Sequence, residues 1–276
     1  MAIKFEEVSF LNSIDKEPYI NKLSLHIADN EIVGFIGKSG CGKSILLELM
    51  GGLKYKDSGI IKIDDYYLES DNKSLTKILK NVGFVTQHPE KQFFCETVKD
   101  EIEFALKNYN VKNIEKQIHN SLKMVGLNDS YLERNPFDLS QGEKRMLSLA
   151  IVLAYNPKIL LLDEPVLGLD SRSRDYVIKL IKMMKYRYHK TIVISTNDTD
   201  LLLDVADKIY LMNKGKIVIS GGKYEILSNT ELLTKNDINI PKLIYFSELV
   251  KKKKNKKIRV HNDINDLIKD VYRHVK

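Results

Sequence analysis

Short runs of apolar residues recur along the chain and predict strands. The run from Glu31 to Gly37 is apolar at nearly every position, which is typical of a strand buried on both faces of a parallel sheet. Further strands are predicted at residues 82–87, 159–162 and 191–195. Residues 208–219 predict a hairpin that turns through Asn213-Lys214-Gly215. This pattern indicates an α/β fold.

The order of these elements divides the chain into successive parts. Residues 1–86 are predicted to be rich in strands with one helix, and residues 87–158 to be mostly helical. Residues 159–222 are predicted to return as parallel strands, and residues 223–276 form an extension. A chain of 276 residues with 43% hydrophobic residues can hold one large domain and a smaller appendage.

A glycine-rich segment follows the first buried strand and fits the phosphate-loop pattern G-x-x-x-x-G-K-[ST] between a strand and a helix. Its glycines allow backbone angles that gather N–H groups around one anion. The helix end adds only about half a positive charge, so Lys43 and a metal must supply the rest. We therefore predict that ATP is bound by Gly37, Lys38, Ser39, Gly40, Cys41, Gly42, Lys43 and Ser44.

Two adjacent acids end the strand at 159–162, so their side chains are expected to diverge. Asp163 is predicted to hold the water shell of Mg²⁺, for which Ser44 offers its hydroxyl. Glu164 is the candidate general base for an attacking water, a role worth roughly 10²–10⁴ in rate.

A capping box begins the helix that precedes this strand, because Ser140 is followed three residues later by Glu143. As a structural signal it only marks a helix start. The order of Leu-Ser-x-Gly-Glu, an apolar helix and a strand ending in Asp resembles the ATP-binding cassette family. The resemblance implies a P-loop NTPase cassette with a mostly parallel sheet and an N-terminal antiparallel part. It also implies a nucleotide-binding domain over residues 1–222, with a helical subdomain at about 87–158, and an extension over 223–276 that contacts a second ATPase.

The same resemblance implies a head-to-tail dimer with two composite nucleotide sites. The signature residues of one subunit would close the site of the other, and Asp170 would lie in the loop that links the two sites. Gln141 stands where the family usually has Gly, and Glu143 where it often has Gln. The signature residues are Leu139, Ser140, Gln141, Gly142 and Glu143.

Residues 87–104 resemble the ATPases of energy-coupling factor importers, the cobalt and vitamin uptake systems. In the family, a glutamine at the position of Gln87 contacts the metal or its water. Pro89, Glu90 and Gln92 would line a groove for a transmembrane coupling protein, with Glu90 facing a basic residue of that partner. A separate membrane protein would bind the transported substrate.

Two positions depart from the family pattern. Asn197 stands where a histidine would contact the γ-phosphate, and its amide cannot carry a proton at neutral pH. We therefore expect slower hydrolysis at this site. Asn12 stands where an aromatic residue would stack on adenine, and either Tyr19 or Phe10 is a possible substitute. Together with Gln141, these departures favour one half of an unequal pair, although a homodimer is also compatible with them.

The cysteine content, the apolar runs and the charge distribution indicate which compartment and which partners to expect. Cys41 and Cys95 are the two cysteines, which favours a reducing compartment, and no run reaches the ~18 apolar residues of a membrane helix. Residues 223–276 contain thirteen basic and seven acidic residues. The lysine run at 251–257 is typical of a solvated loop, and it lacks the interleaved aromatic residues that would stack on bases. No nucleic-acid partner is therefore expected.

The resemblance predicts an ATP-hydrolysing subunit that energises a micronutrient importer from the cytoplasmic face of the membrane, as a peripheral protein. Two alternatives stay open from the sequence. One is a soluble cassette ATPase that acts on DNA or the ribosome, against which the single cassette and the short insert between Ser44 and Ser140 argue. The other is a weakly hydrolysing, mainly regulatory subunit, which Asn197 favours.

Overall fold

The fold was obtained as a computed structural model that describes residues 2–11, 18–69, 72–254 and 264–274. Within these residues the strands form a four-stranded sheet, ordered β2-β1-β4-β5, and a six-stranded sheet, ordered β10-β9-β3-β8-β7-β6. The strands are β1 (Ile3–Phe10), β2 (Ile20–Ile27), β3 (Ile32–Ile36), β4 (Ser58–Ile63), β5 (Tyr66–Tyr67), β6 (Val82–Val85), β7 (Ile159–Asp163), β8 (Thr191–Ser195), β9 (Lys208–Asn213) and β10 (Lys216–Gly222).

The six-stranded sheet is parallel from β9 through β6, and every residue of β3, β7 and β8 is buried. This confirms the interpretation of the continuous apolar runs as strands covered on both faces. The predicted hairpin at Asn213-Lys214-Gly215 is also confirmed. It makes β10 antiparallel to β9, and the parallel strands of residues 159–222 are β7, β8 and β9. A two-to-three-residue turn can only return a strand in the opposite direction.

The helices lie between and around the two sheets. Side-chain caps begin several of them: Thr97 accepts a hydrogen bond from the Asp100 N–H, and Asp170 accepts one from the Ser173 N–H. The helices are α1 (Lys43–Met50), α2 (Asn72–Asn81), α3 (Val98–Asn108), α4 (Ile114–Met124), α5 (Gln141–Ala154), α6 (Ser171–Tyr186), α7 (Thr199–Val205), α8 (Lys223–Leu227), α9 (Thr230–Lys235), α10 (Lys242–Lys254) and α11 (Ile264–His274). No helix in the described part of the chain is long and apolar enough to cross a bilayer.

Two apolar cores flank the six-stranded sheet. One fills the space between this sheet and the four-stranded sheet, and includes Phe5, Phe35 and Leu46. The other joins the sheet to α3–α7. Buried side chains of the C-terminal extension complete this second core: Ile226, Leu227, Leu233, Ile238 and Ile244. Burial of such apolar side chains contributes roughly 1.5–3 kcal/mol each, so the extension up to α10 is anchored on the sheet domain.

Candidate functional site

A cleft of about 590 Å³ opens at the carboxyl ends of β3, β7 and β8. Ligands of open α/β sheets bind at this end of the strands. Predicted phosphate-loop, metal and catalytic residues from four separate segments line it together: Ser39, Gly40, Gly42, Lys43, Ser44, Gln87, Asp163, Glu164 and Asn197. The fold therefore gathers these residues around one space large enough for a nucleotide.

The phosphate loop connects β3 to α1 and depends on glycine at three positions. Gly40 and Gly42 have φ of 79° and 106°, in the left-handed region that favours glycine. A Cβ on Gly37 would lie 2.3 Å from the Met212 carbonyl oxygen of β9. The buried Lys43 donates from Nζ to the Gly37 carbonyl at 2.6 Å. Its ammonium group is thus held across the loop, where an anionic ligand would contact it.

Asp163 ends β7 beside Ser195 of β8 and is 4% exposed. Its Oδ1 atom is buried and has no hydrogen-bond partner among the described residues. A buried carboxylate oxygen in this state is costly unless a ligand satisfies it. A hydrated Mg²⁺ has the chemistry to do so, because it prefers oxygen ligands and keeps several waters. Ser44 and Gln87, which line the same cleft, offer two further oxygen atoms.

Glu164 follows directly with a left-handed backbone, at φ 46°. Its Oε2 accepts a hydrogen bond from the Thr196 hydroxyl at 2.7 Å, and its Oε1 accepts one from the Asn197 N–H at 3.1 Å. Burial raises the pKa of the Glu164 carboxyl, an effect that the Thr196 hydrogen bond opposes. A carboxylate with a raised pKa at the mouth of a phosphate cleft has the properties of a general base.

Gln87 is held by a residue that the sequence interpretation missed. Arg145 of α5 is 5% exposed and donates from Nη1 to the Thr86 carbonyl and from Nη2 to the Gln87 carbonyl, both at 2.8 Å. The guanidinium therefore ties the segment at Thr86 and Gln87, called the glutamine loop below, to α5, the helix that begins at the signature. In the sequence Arg145 follows Glu143 and Lys144 in the polar start of α5, so no local pattern set it apart.

The capping box of α5 is confirmed in both directions. The Ser140 N–H donates to Glu143 Oε2 at 2.8 Å, and the Glu143 N–H donates to Ser140 Oγ at 3.3 Å. Tyr131 adds a hydrogen bond from its hydroxyl to Glu143 Oε1 at 2.7 Å. Residues 139–143 do not line the cleft described above. Ser140 and Gln141 are exposed, so the start of α5 is accessible to a partner.

Of the two aromatic candidates for adenine, Tyr19 lines the cleft. Its carbonyl oxygen would lie 2.8 Å from a Cβ on Gly42, so it packs directly on the phosphate loop. Phe10 packs instead against the core beneath the four-stranded sheet, with Lys54 over its ring. Asn12 lies outside the described residues.

The predicted membrane-partner residues lie beside a second, mostly apolar groove. Pro89 and Glu90 form a short 3₁₀ helix, and Gln92 accepts a hydrogen bond from the Ser148 hydroxyl at 3.0 Å. Gln92 lines the groove together with Phe94 and Phe104, which are 61% and 47% exposed. An exposed apolar groove of this kind is typical of a protein-binding surface.

Comparison with known proteins identifies the family. The family described as ABC transporter matches residues 20–167, more than half of the chain. The chain belongs to the ABC transporter family. This ABC protein is 34% identical to the energy-coupling factor transporter ATP-binding protein EcfA2 of Clostridium perfringens, covering 96% of this chain and 94% of that relative. It is 36% identical to the EcfA3 protein of Oenococcus oeni, covering 91% and 90%.

Solved structures agree with the fold of this ABC protein. The structure of cbiO1 from Clostridium perfringens, part of the ABC transporter complex cbiONQ, matches with a TM-score of 0.75 at 28% identity, covering 90% of this chain and 98% of that one. The dimeric post-hydrolysis state of the cassette MJ0796, bound to ADP and Pi, matches with a TM-score of 0.75 at 26% identity, covering 80% and 98%. The predicted resemblance and the fold class are thereby confirmed.

Proposed function

We propose that this ABC protein binds and hydrolyses ATP to energise an energy-coupling factor importer for a micronutrient, a vitamin or a transition-metal ion. The observation that carries the proposal is the convergence of Lys43, Asp163 and Glu164 on one cleft. Lys43 would neutralise the β- and γ-phosphates, and the backbone N–H groups of residues 37–44 would surround them. Curated relatives named as ATP-binding subunits of such transporters support this assignment.

Mg²⁺ is the metal that the oxygen ligands of the site fit. Ser44, Asp163 and Gln87 would hold it, and the unpartnered Oδ1 of Asp163 supports that placement. Bound there, the metal would offset phosphate charge during phosphoryl transfer. Glu164 would accept a proton from the attacking water, and Asn197 would contact the γ-phosphate by a single amide hydrogen bond. Hydrolysis at this site would therefore be slower than at a histidine-bearing one.

A second ABC ATPase would complete the site. Residues 139–143 lie outside this chain's own cleft, which supports a role at the site of a partner. Asp170 caps α6 beside the cleft residues Leu169 and Arg174, which supports a role in the loop that would link the two sites. The partner is either a second copy or a different ATPase. The extension over residues 223–276 would contribute to that ATPase–ATPase contact.

A transmembrane coupling protein would occupy the groove beside Pro89, Glu90 and Gln92. The aromatic side chains of Phe94 and Phe104 would contact apolar positions of its coupling helix, and Glu90 a basic one. This ABC protein would then lie on the cytoplasmic face of the membrane as a peripheral subunit, with a further membrane protein binding the substrate. Tyr19 would stack on the adenine base.

A mild-detergent purification of the full chain from its native cell tests the proposal. We expect a polytopic membrane protein and a second cassette ATPase in the complex, with ATPase activity that Lys43→Ala lowers. Lys158→Ala is a control, because Lys158 is exposed, pairs with Asp64 at 3.4 Å and does not line the cleft. Recovery of ribosomes or DNA without membrane proteins would overturn the assignment in favour of a soluble cassette ATPase.

A further inference from the structure

The segment that follows β8 makes several contacts with the Glu164 side chain. Thr196 is fully buried, and its hydroxyl donates to Glu164 Oε2 at 2.7 Å. The same hydroxyl oxygen accepts a hydrogen bond from the Asp198 N–H at 3.0 Å. A backbone N–H can only donate, so the Asp198 N–H occupies a lone pair of the Thr196 hydroxyl oxygen. The Thr196 hydroxyl proton is therefore the one that points to Glu164.

The Glu164 carboxylate is fixed at both oxygens by one short segment. Oε1 receives the Asn197 N–H at 3.1 Å, while Oε2 receives the Thr196 hydroxyl. The Glu164 N–H donates to the Ser195 carbonyl at 2.8 Å. Main chain and side chain of this glutamate are therefore both held by residues 195–197. The Asn197 contribution comes from its backbone and does not depend on the side chain at that position.

Two hydrogen bonds at opposite oxygens leave a carboxylate little rotational freedom, and orientation of a base toward its proton is a large part of its catalytic effect. We propose that Thr196 is a positioning residue that orients the Glu164 carboxylate toward the attacking water. The proposal rests on the function proposed above, in which Glu164 is the general base. It assigns to the Thr196 hydroxyl a role that remains intact although the usual histidine is absent at position 197.

The test uses the assembled complex. When the companion ATPase is a different chain, its own general-base glutamate is replaced by Gln, so that the measured hydrolysis depends on Glu164. Thr196→Val keeps the side-chain shape and removes the donor. We expect kcat to fall on the order of ten- to hundredfold, the effect of one lost hydrogen bond to a charged group. The KM for ATP should change less than about twofold, because the phosphate contacts are untouched.

Two further variants test whether the hydroxyl itself, rather than the packing around it, accounts for the change in kcat. Thr196→Ser retains the donor and should restore most of kcat. Thr191→Val is the matched control, since Thr191 is a buried threonine at the start of β8 whose hydroxyl accepts the Asn30 N–H at 2.9 Å. It loses one hydrogen bond far from Glu164, and its kcat should equal the wild-type value. If Thr196→Val does not fold, Thr196→Ala carries the same comparison.

A double-mutant cycle with Glu164→Gln distinguishes positioning from a general structural role. If Thr196 acts through Glu164, adding Thr196→Val to Glu164→Gln should leave the residual single-turnover rate unchanged. The two substitutions should also be non-additive in the melting temperature of the nucleotide-free chain. Additive losses in both measurements, or an unchanged kcat in Thr196→Val, would overturn the proposal. An unchanged rate in Glu164→Gln would instead remove Glu164 as the base, and the proposal with it.

Discussion

The guanidinium of Arg145 offers a demanding prediction, because it holds two consecutive carbonyls of the glutamine loop from the helix that begins at the signature. Both hydrogen bonds are 2.8 Å long, and the side chain is 5% exposed. Burial lowers the pKa of the guanidinium, against the opposing effect of the negative charges on Glu90, Asp163 and Glu164. The two substitutions to compare are Arg145→Met and Arg145→Lys.

The expected loss in the free energy of unfolding follows from these contacts. Each hydrogen bond to a charged donor contributes about 1.5–3 kcal/mol, and Arg145→Met loses both. The two bonds together contribute about 3–6 kcal/mol. Methionine also removes the cost of burying a cation, which is several kcal/mol, so the net destabilisation should be at most about 3 kcal/mol. Arg145→Lys keeps a buried charge, and one ammonium group cannot span both carbonyls. The lysine variant should therefore be at least as unstable as the methionine variant.

Urea denaturation of the full chain measures the change in the free energy of unfolding. Arg134→Met is the matched control, because Arg134 is exposed and stacks on the Tyr131 ring at 4.3 Å from its centroid. Its change should stay within about 0.5 kcal/mol. A lysine variant as stable as the wild-type chain would show that charge alone suffices at position 145. The two carbonyl contacts would then not hold the glutamine loop.

Two further predictions concern the nucleotide cleft. Asn197→His in the assembled complex should raise ATP turnover on the order of tenfold, the worth of about one hydrogen bond to the γ-phosphate, and unchanged turnover would contradict the assignment of slow hydrolysis to Asn197. Iodoacetamide should alkylate Cys95 before Cys41, because Cys41 is 6% exposed whereas Cys95 is half-buried, and burial raises the pKa of both thiols. Labelling of Cys41 should slow further when ATP is present. Equal labelling rates for the two cysteines would contradict the buried position of Cys41 in the phosphate loop.

Local patterns in the sequence predicted much of the fold and the cleft. The phosphate loop, the acidic end of β7 and the capping box are each short, continuous stretches of sequence. Each is specified by residues that lie within a few positions of one another. The buried strands could be predicted because their apolar side chains repeat without interruption. These features depend on little beyond their own neighbours along the chain.

The contacts that orient the cleft could not be predicted in this way. Arg145 reaches Thr86 across 59 residues, and Thr196 reaches Glu164 across 32. The hairpin turn also closes on the phosphate loop, where the Gly215 N–H donates to the Cys41 carbonyl at 3.0 Å. Such pairs depend on strand order and helix placement, which no local spacing encodes. The position of Tyr19 in the cleft, and of Phe10 against the core, likewise depends on how β1 and β2 pack.

The central claim is that two cassettes jointly enclose ATP between the phosphate loop of one and the signature helix of the other. Light scattering of the Glu164→Gln chain, with Mg²⁺ and the companion ATPase, tests this most directly. Gly142→Asp is the informative control, since a Cβ there meets only Leu169, at 3.8 Å, and the fold can accept it. We predict a two-chain mass with ATP, a return to single chains with ADP, and no pairing of the Gly142→Asp chain. A single-chain mass under every condition, or ATP-driven pairing that Gly142→Asp leaves intact, would contradict a shared nucleotide site.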